Sequence, residues 1–386
     1  MLFVFHTIRK SYLHFFSPIL ILFLSGCISC RKVQKRVSSL EMKFLNQYVI
    51  PYNFSFDNTT VGGLSGIDYD STSEVYYSIS DDRSAINPAR FYTFKMNIKN
   101  NKIDTVVFLQ KTFLKNPSGN NFPSATATTA TIDPEALRRY GNNFFWSSEG
   151  ERIVNNNDTI LLNPEIYISD VLGNYLDTLR LPGQVKVSAG QTGIRQNGAF
   201  EGLAFSPDGK FLFVSVEEPL LQDGPRAGLG DSAGVIRIIK YDLQTKKPVA
   251  QYAYTIDPVV YPVQPASGFR VNGISDIMCI GNNKLLVIER SFSTGRLSCS
   301  IRVYETDLST ADDISSFSSL QGKNYKPAVK KQLLNMDNLG IYIDNIEGVT
   351  YGPELTNGNR SLIFIADNNF NAYEKTQLLL FELSGK

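Results

Sequence analysis

Apolar and polar positions follow one pattern that recurs five times along the chain. Each copy has an acidic or small residue, a short apolar stretch, a turn, a second apolar stretch and then one or two acids. The copies recur at a period of roughly 70 residues, which indicates a repeat architecture. They span residues 66–82, 135–149, 201–218, 273–289 and 347–367.

Strong turn residues separate the two apolar stretches, as in Ser206-Pro207-Asp208-Gly209. Two further alternating stretches follow most copies, and long helical periodicity is nearly absent. Four strands in each repeated unit predict an all-β protein with a β-propeller fold. The strand count gives five blades, or six if a degenerate unit lies in 219–271 or 306–335. The alternative is a large β-sandwich with accidental internal similarity.

The ends of the chain indicate how the ring closes. The last unit has apolar stretches at 361–366 and 377–383 and then stops one strand short. The stretch 42–52 alternates like a strand and has no unit of its own. We expect it to supply the missing outer strand of the last blade, which would remove an exposed sheet edge.

An export signal precedes this domain. Arg9 and Lys10 form its positive end, and the apolar core 15–24 is shorter than the ~20 residues that a membrane span needs. Leu24-Ser25-Gly26-Cys27 resembles a bacterial lipobox, which implies a lipid anchor on Cys27. Because Ile28 and not Asp follows, we expect the outer membrane; the alternative is an ordinary signal peptide with Cys27 incidental. The predicted division is signal peptide 1–26, lipidated tether 27–41 and propeller 42–386.

Composition excludes several kinds of site. Both histidines, His6 and His14, lie in the signal, so the mature protein has no Ser-His-Asp triad, histidine base or histidine-ligated zinc. The chain has 38 Lys and Arg against 37 Asp and Glu, and the signal removes Arg9 and Lys10 but no acid. A nearly neutral mature protein does not favour nucleic acid as a partner. We expect a monomer that contacts the membrane only through its anchor.

Hairpin geometry predicts where the acids collect. The start of the first strand of an antiparallel hairpin lies beside the end of the second. With the third turn centred at Asp208, Glu201 is expected opposite Ser215, and Glu217 lies two residues beyond. If first strands line the axis, the acids of all copies gather at one opening of the ring. The candidate metal ligands are Asp81, Asp82, Glu135, Glu149, Glu201, Glu217, Glu289, Glu347 and Asp367.

Charge balance bears on what these acids do. Two like charges 4 Å apart cost about 4 kcal/mol at an effective dielectric constant of 20. Protonation, a bound metal or a wider spread of the acids must relieve this repulsion. Without histidine or an obvious thiolate site, the fitting ion is Ca²⁺, which takes oxygen ligands. The alternative is that each acid caps its own blade through backbone N–H groups and neighbouring arginines. The cations at matching positions are Arg83, Arg90, Arg195 and Arg290.

These same segments resemble the phytase-like family, also described as "esterase-like activity of phytase". The resemblance covers roughly residues 60 to 385 in order, and its most specific motif is Arg195-Gln196-Asn197-Gly198-Ala199-Phe200-Glu201-Gly202-Leu203-Ala204. It implies a propeller fold, phosphoester or ester hydrolysis, and Ca²⁺ ions at one end of the channel. One departure is Glu135-Ala136, where the family has a Glu-Gly pair. The other matching segments are 80–83 with 89–92, 133–136 with 147–150, 288–291, and 345–349 with 365–368.

The leading hypothesis is therefore a Ca²⁺-dependent phosphomonoesterase that acts on a small phosphorylated or ester substrate. The alternative is a non-catalytic propeller that binds a ligand or protein partner at the cell envelope. A serine esterase is disfavoured because Gly63-Leu64-Ser65-Gly66-Ile67 lacks the final Gly of Gly-x-Ser-x-Gly. A glycosidase that uses two carboxylates is disfavoured because the chain has one Trp for stacking on a sugar. The candidate catalytic residues are Glu135, Glu201, Arg83, Arg90, Arg195 and Arg290.

Overall fold

The structure is a computed structural model that describes residues 40–124, 131–155 and 159–385. The predicted signal peptide, Cys27 and all but the last two residues of the predicted tether lie outside these ranges. The described residues hold no helix with the length and apolar character of a membrane span. The strands are β1 (Glu41–Ile50), β2 (Ser55–Phe56), β3 (Thr59–Thr60), β4 (Leu64–Asp70), β5 (Val75–Ser80), β6 (Arg90–Lys99), β7 (Lys102–Phe113), β8 (Pro134–Tyr140), β9 (Asn143–Ser148), β10 (Glu151–Val154), β11 (Thr159–Leu162), β12 (Glu165–Asp170), β13 (Tyr175–Thr178), β14 (Phe200–Phe205), β15 (Phe211–Val216), β16 (Gly234–Asp242), β17 (Lys247–Ile256), β18 (Arg270–Gly281), β19 (Lys284–Ser293), β20 (Ser300–Asp307), β21 (Val329–Asn335), β22 (Asn345–Glu354), β23 (Arg360–Asp367) and β24 (Thr376–Ser384).

Five four-stranded antiparallel sheets form the blades of a β-propeller, which confirms the predicted fold class. Blade 1 is β4-β5-β6-β7, and blade 2 is β8-β9-β12-β13 with the hairpin β10-β11 beside it. Blade 3 is β14-β15-β16-β17, and blade 4 is β18-β19-β20-β21. Blade 5 is β22-β23-β24-β1. The segments 219–271 and 306–335, where a sixth blade was possible, supply outer strands and connections of blades 3 and 4.

The N-terminal strand closes the ring as the sequence predicts. β1 pairs with β24 in an antiparallel register that runs from Glu41 opposite Ser384 to Ile50 opposite Thr376. Each inner strand contacts the inner strand of the next blade, in the cyclic order β4, β8, β14, β18, β22 and back to β4. The first strands of the units therefore line the central channel.

The hydrophobic core is divided among the five junctions between neighbouring blades. Blades 1 and 2 share a cluster around Phe91 and Trp146, and blades 5 and 1 share one around Ile67 and Ile365. The three other junctions have equivalent clusters of buried apolar side chains. This arrangement fixes the angle between adjacent blades, and with it the positions of the inner strands.

Arg138 of β8 lies within the channel and joins the inner strands of four blades. Its guanidinium group donates to the carbonyl oxygens of Ile67 at 2.7 Å, Ile277 at 3.2 Å and Val349 at 3.3 Å. It also pairs with the Asp276 carboxylate at 2.6 Å. Burial raises the pKa of Asp276 to about 6, although the positive charge of Arg138 opposes this shift. This buried pair links inner strands across the channel.

Candidate functional site

Every inner strand carries a β-bulge, which lies within the first three residues of β4, β8, β14 and β22 and at the sixth residue of β18. A bulge leaves one residue unpaired and turns its side chain away from the regular alternation. Three of the five bulges contain a glutamate that the sequence placed at the site. The bulged residues are Ser65, Glu135 with Ala136, Glu201, Ser275 and Glu347.

The bulge corrects the predicted pairing in the third unit. Gly202, not Glu201, lies opposite Ser215, and Phe200 lies opposite Val216. Glu201 is therefore the unpaired residue of β14. The expected proximity of Glu201 and Glu217 nevertheless holds, because their carboxylate oxygens lie within 4.8 Å of each other.

The glycine after the bulged glutamate permits the close approach of neighbouring inner strands. A Cβ atom on Gly202 would lie 2.8 Å from the backbone nitrogen of Ile277 in the next blade. A Cβ atom on Gly348 would lie 3.0 Å from the carbonyl oxygen of Ser65. The Glu-Gly pair thus combines a carboxylate turned to the channel with a position where only glycine fits.

A cavity of about 470 Å³ opens at the end of the ring where the inner strands begin. We call it the acidic mouth. Two cations line it, Arg83 and Arg290, against ten acids. The acids are Asp81, Asp133, Glu135, Glu149, Glu201, Glu217, Glu218, Asp344, Glu347 and Glu374.

Seven acids of the mouth and Asp367, which is fully buried and outside the lining, form three groups in which one carboxylate oxygen from each member lies within 4.8 Å of the others. The members are almost all buried. Glu149 belongs to two groups and so links them. The groups are Asp81 with Glu347 and Asp367, Asp133 with Glu135 and Glu149, and Glu149 with Glu201 and Glu217.

Arg290 joins the walls contributed by blades 3 and 5. Its guanidinium group pairs with Glu217 at 2.8 Å and with Glu347 at 2.5 Å, and it donates to Asn345 Oδ1 at 2.5 Å. Its buried Nε has no hydrogen-bond partner among the described residues. One N–H group of Arg290 is therefore still available to an acceptor.

Arg83 lies on the blade 1 side of the mouth. It pairs with Glu151 and lies 3.5 Å from the Asp133 carboxylate. Gln196 donates to the other oxygen of Glu151 at 2.9 Å, so this carboxylate is held from both sides. The Nε atom of Arg83 makes no hydrogen bond within the described part of the chain.

Glu347 and Asp367 each have one carboxylate oxygen fixed and the other without a partner. Glu347 Oε1 accepts from Arg290 and from Asn345 Nδ2 at 2.7 Å, and Asp367 Oδ2 accepts from the backbone of Asn369 at 2.9 Å. Glu347 Oε2 and Asp367 Oδ1 are buried and lack any hydrogen bond in the described residues. Both side chains are thus oriented by one oxygen while the other is free to coordinate.

Glu135 and Glu201 have still fewer partners. Only 9% and 7% of their surfaces are exposed, and within the described residues neither side chain has a hydrogen bond or an ion pair. A buried carboxylate without a partner is costly, because it loses hydration and gains nothing in return. An oxygen-preferring cation would remove this cost, so the donor set fits Ca²⁺.

Burial and mutual repulsion shift the acid equilibria of the mouth. Burial raises the pKa of Asp133 and of Glu218 to about 7, against the opposing charges of Arg83 and Arg226. The pKa of Glu201 rises well above its ordinary value, first through burial and then through the charges of Glu217 and Glu149. Burial, followed by the negative charges of other neighbouring acids, likewise raises the pKa of Asp81, Glu135, Glu149 and Asp367.

The backbone beside the mouth adopts left-handed conformations. Asn369 and Phe370 have φ of 44° and 51°, and Asn197 has φ of 47°. A bulky residue such as Phe is rare in this region, and such strain is concentrated at functional sites. Asn368 Oδ1 holds the turn by accepting from the backbone nitrogens of Phe370 and Gly63, both at 3.1 Å. The turn fixes Asp367 at the edge of the mouth.

The structure places two predicted site residues, Asp82 and Arg90, in blade 1 away from the cavity lining. Asp82 accepts from the backbone nitrogens of Ala85 at 2.8 Å and Asn87 at 2.7 Å, and it pairs with Arg90 at 2.8 Å. Arg90 is fully buried and also donates to Thr60 O at 2.8 Å. Asp82 thus caps its own blade, as the structural alternative describes.

Glu289 is also outside the lining, because its side chain faces blade 3. It accepts from Tyr254 Oη at 2.7 Å, from the backbone of Asp257 at 2.8 Å and from Asn272 at 3.0 Å. Lys330 balances its charge at 2.5 Å. These contacts join blades 3 and 4.

Arg195 likewise does not line the cavity. Its guanidinium group donates to the carbonyl oxygens of Pro219 at 2.8 Å and Gly224 at 2.7 Å. It therefore supports the loop after β15, next to Glu217 and Glu218. The remaining predicted arginines, Arg83 and Arg290, are the two that reach the mouth.

Several lining acids were missed from the sequence. Asp133 precedes the bulge of β8 by two residues and Asp344 precedes the bulge of β22 by three, so an acid ahead of the inner strand was an available signal. Glu218 follows Glu217 as Asp82 follows Asp81. Glu374 lies in the loop between β23 and β24, where no repeat indicates it.

A family model described as "Phytase-like: Esterase-like activity of phytase" matches residues 59–370 of the chain. This range includes all five inner strands and every acid in the three groups. An "Uncharacterized secreted protein" of the fungus Arthroderma benhamiae is 31% identical over 111 residues. That match covers 28% of this chain and only 21% of the fungal protein.

Solved structures with distant similarity cover most of the chain. An alpha-L-arabinofuranosidase from Lactobacillus brevis has 10% identity and a TM-score of 0.45 over 86% of this chain and 92% of its own. The periplasmic gluconolactonase PpgL of Pseudomonas aeruginosa has 10% identity and a TM-score of 0.33. The match covers 90% of this chain and 99% of the gluconolactonase chain. Similarity at this level says nothing about what this chain binds or converts.

Proposed function

The chain belongs to the phytase-like family, and from this premise we propose that it is a phosphoric-ester hydrolase whose acidic mouth works with bound Ca²⁺. The family's description, esterase-like activity, is that of a hydrolase. Fold and family description alone do not define the reaction, so the residues of the mouth must support it.

The observation that supports the proposal most is the set of buried carboxylate oxygens without partners. Glu347 Oε2 and Asp367 Oδ1 lack hydrogen bonds, and Glu135 and Glu201 lack partners within the described residues. Oxygen donors alone select a hard cation. The first ligands would be Asp81, Glu347 and Asp367, and Glu149, Glu201 and Glu217 form the second candidate set.

Bound Ca²⁺ would supply charge neutralisation for a phosphate group and a lower pKa for water. Arg83 and Arg290 would orient the phosphate, because their guanidinium groups line the mouth. Glu135 and Glu201 would accept the proton of the attacking water. The water oxygen forms a bond to phosphorus, the ester P–O bond breaks, and the leaving alcohol takes up the proton that the carboxylate accepted from the water, which gives inorganic phosphate.

Release of inorganic phosphate from a phosphomonoester, measured on the mature domain with EDTA and then with added Ca²⁺, tests this function. We expect activity only with the cation. Glu201→Gln should lower kcat by about 10²–10⁴-fold, the range for a lost acid–base group. Glu354→Gln, at an exposed position of β22 far from the mouth, is the matched control and should leave the rate unchanged.

Two results would contradict the proposal. Full activity in EDTA would exclude the role of the cation. Binding of Ca²⁺ without hydrolysis of any phosphomonoester would favour the non-catalytic propeller instead.

The location of the protein is part of the same proposal. Cys27 carries the lipid, and the propeller hydrolyses its substrate as a monomer at the outer membrane, with residues 27–41 as the tether. Cys27→Ser should release the protein into the soluble fraction and abolish incorporation of labelled palmitate. A wild-type protein that takes up no palmitate would contradict the anchor.

A further inference from the structure

The wall that blade 4 contributes to the acidic mouth differs in composition from the walls contributed by the other blades. The ten lining acids come from blades 1, 2, 3 and 5 and the segments that adjoin them, and none comes from blade 4. Its bulge carries Ser275 instead of a glutamate, and Glu289 faces blade 3. The residues that line the mouth from blade 4 are Phe269, Val271, Arg290, Phe292, Leu297 and Cys299.

Apart from Arg290, these side chains give this wall of the mouth an apolar character. Val271 and Phe292 are directly opposite on β18 and β19, so their side chains share a face of the sheet. The rings of Phe269 and Phe292 lie 6.4 Å apart. Leu297, in the loop after β19, is 82% exposed, and Phe269 is 52% exposed. Large apolar groups exposed at the rim of a cavity mark a binding surface.

Arg290 connects this surface to the acidic groups. It lies two residues before Phe292 on β19, so both side chains point to the same side of the strand. A phosphate held by Arg290 would place its ester oxygen next to Phe292. The alcohol part of the substrate would then extend along Phe269 and Leu297.

We infer that the ester hydrolysed here carries a single phosphate on an apolar alcohol about the size of one ring. This inference rests on the proposed function and specifies its substrate class. A highly phosphorylated sugar alcohol fits poorly, because it would meet apolar side chains on one side and carboxylates on the others.

Comparison of benzyl phosphate with glycerol 1-phosphate tests the inference. Both leaving alcohols are alkyl alcohols of similar acidity, so a difference in kcat/KM reports mainly contact with the alcohol. We expect benzyl phosphate to be favoured at least tenfold, equivalent to about 1.4 kcal/mol. Phe269→Ala and Leu297→Ala should each lower this preference to about threefold or less, mostly through KM.

Tyr373→Ala is the matched control, because Tyr373 is an exposed aromatic residue outside the cavity lining. It should leave the preference unchanged. Leu297→Ala removes a mostly exposed side chain, so its folding is expected to be normal and can be checked by thermal unfolding. Equal kcat/KM for the two esters, or faster hydrolysis of myo-inositol hexakisphosphate, would overturn the inference while the hydrolase function stands.

Calorimetric binding separates failure of the inference from failure of the function. If no phosphate ester is hydrolysed, the proposed function is wrong. Tighter binding of benzylphosphonate than of methylphosphonate, weakened by Phe269→Ala, would still support the apolar surface. Equal binding of the two phosphonates would overturn it.

Discussion

Asp276 and Glu201 are both buried carboxylates of the central channel, yet their surroundings differ. Asp276 pairs with Arg138 at 2.6 Å and accepts from the backbone nitrogens of Val349 and Ile277, both at 2.8 Å. Glu201 has no such partner among the described residues, and its nearest charged neighbours include two other glutamates. The first carboxylate is fully satisfied within the protein, whereas the second is not.

This difference separates structure from function along one channel. A satisfied buried ion pair holds strands together, because loss of either partner leaves an unpaired charge. An excess of unpaired acids stabilises nothing without a ligand. The interior of the channel therefore maintains the ring, and the acidic mouth is where an added cation would change the energetics.

Replacement of Arg138 should have the largest effect on the free energy of unfolding. Arg138→Met leaves Asp276 buried without its partner, and we expect a loss of about 3–5 kcal/mol in the free energy of unfolding. Urea unfolding of the mature domain measures this. Arg139→Met is the control, because Arg139 is partly exposed and pairs with Asp70 near the surface, where such pairs contribute about 0–1 kcal/mol. An equal loss in the two variants would contradict the distinction.

Ca²⁺ should have the next largest effect, and we expect it to act at the mouth. At 100 times its dissociation constant, a cation that binds only the folded state stabilises by about 2.7 kcal/mol. We expect the melting temperature to rise with Ca²⁺ and to fall back with EDTA. Asp367→Asn should reduce the shift, since it removes the negative charge of one ligand from the first candidate set. A shift of unchanged size in this variant would mean that the cation does not bind at Asp81, Glu347 and Asp367.

The pH dependence without metal should be smaller and should have a definite sign. The pKa of Asp133 and of Glu218 is about 7 in the folded protein and near 4 when unfolded. The protonated form is thus favoured by folding, and this contribution is lost as pH rises from about 4 through 7. In EDTA, the urea midpoint should fall between pH 5 and pH 8. With Ca²⁺ the fall should be smaller, because a cation bound at the carboxylates next to Asp133 favours the deprotonated form of this acid. Parallel profiles in the two conditions would argue against a cation at these acids.

The smallest effect is expected for Glu201→Gln in EDTA. The substitution removes one of several repelling carboxyl groups and breaks no pair, so the free energy of unfolding should stay within about 1 kcal/mol or increase. The same variant should lose hydrolytic activity. A loss of several kcal/mol would mean that Glu201 has a structural partner like that of Asp276.

The sequence predicted the fold well because its signals are repeated. Five copies of one hairpin, and a spare strand at 42–52 for a last unit that lacked one, specify a closed ring almost without alternatives. The structure confirms both features in the five sheets and in the pairing of β1 with β24. The bulges were not predicted, since a one-residue insertion leaves no mark in an alternating apolar pattern.

The site was predicted less evenly. The argument that acids gather at one mouth identified Glu135, Glu201 and Glu347, because each occupies the same place in its unit. It also included Asp82, which bonds within blade 1, and Glu289, which faces blade 3, since the sequence does not tell which way these side chains point. Asp276 and Arg138 were not predicted as a pair, because 138 residues separate them and no repeat relates them.

The pairing of β1 with β24 constrains the order of events during synthesis. Side chains that meet in this sheet, such as Gln47 and Gln377, are 330 positions apart in the chain. Blade 5 is therefore incomplete until β24 has been synthesised. Until then, β1 has no partner strand, and blades 1 and 4 lack their contacts with blade 5. Contacts this distant in the chain slow folding, so the unpaired edge of blade 5 is exposed to aggregation until β1 and β24 meet.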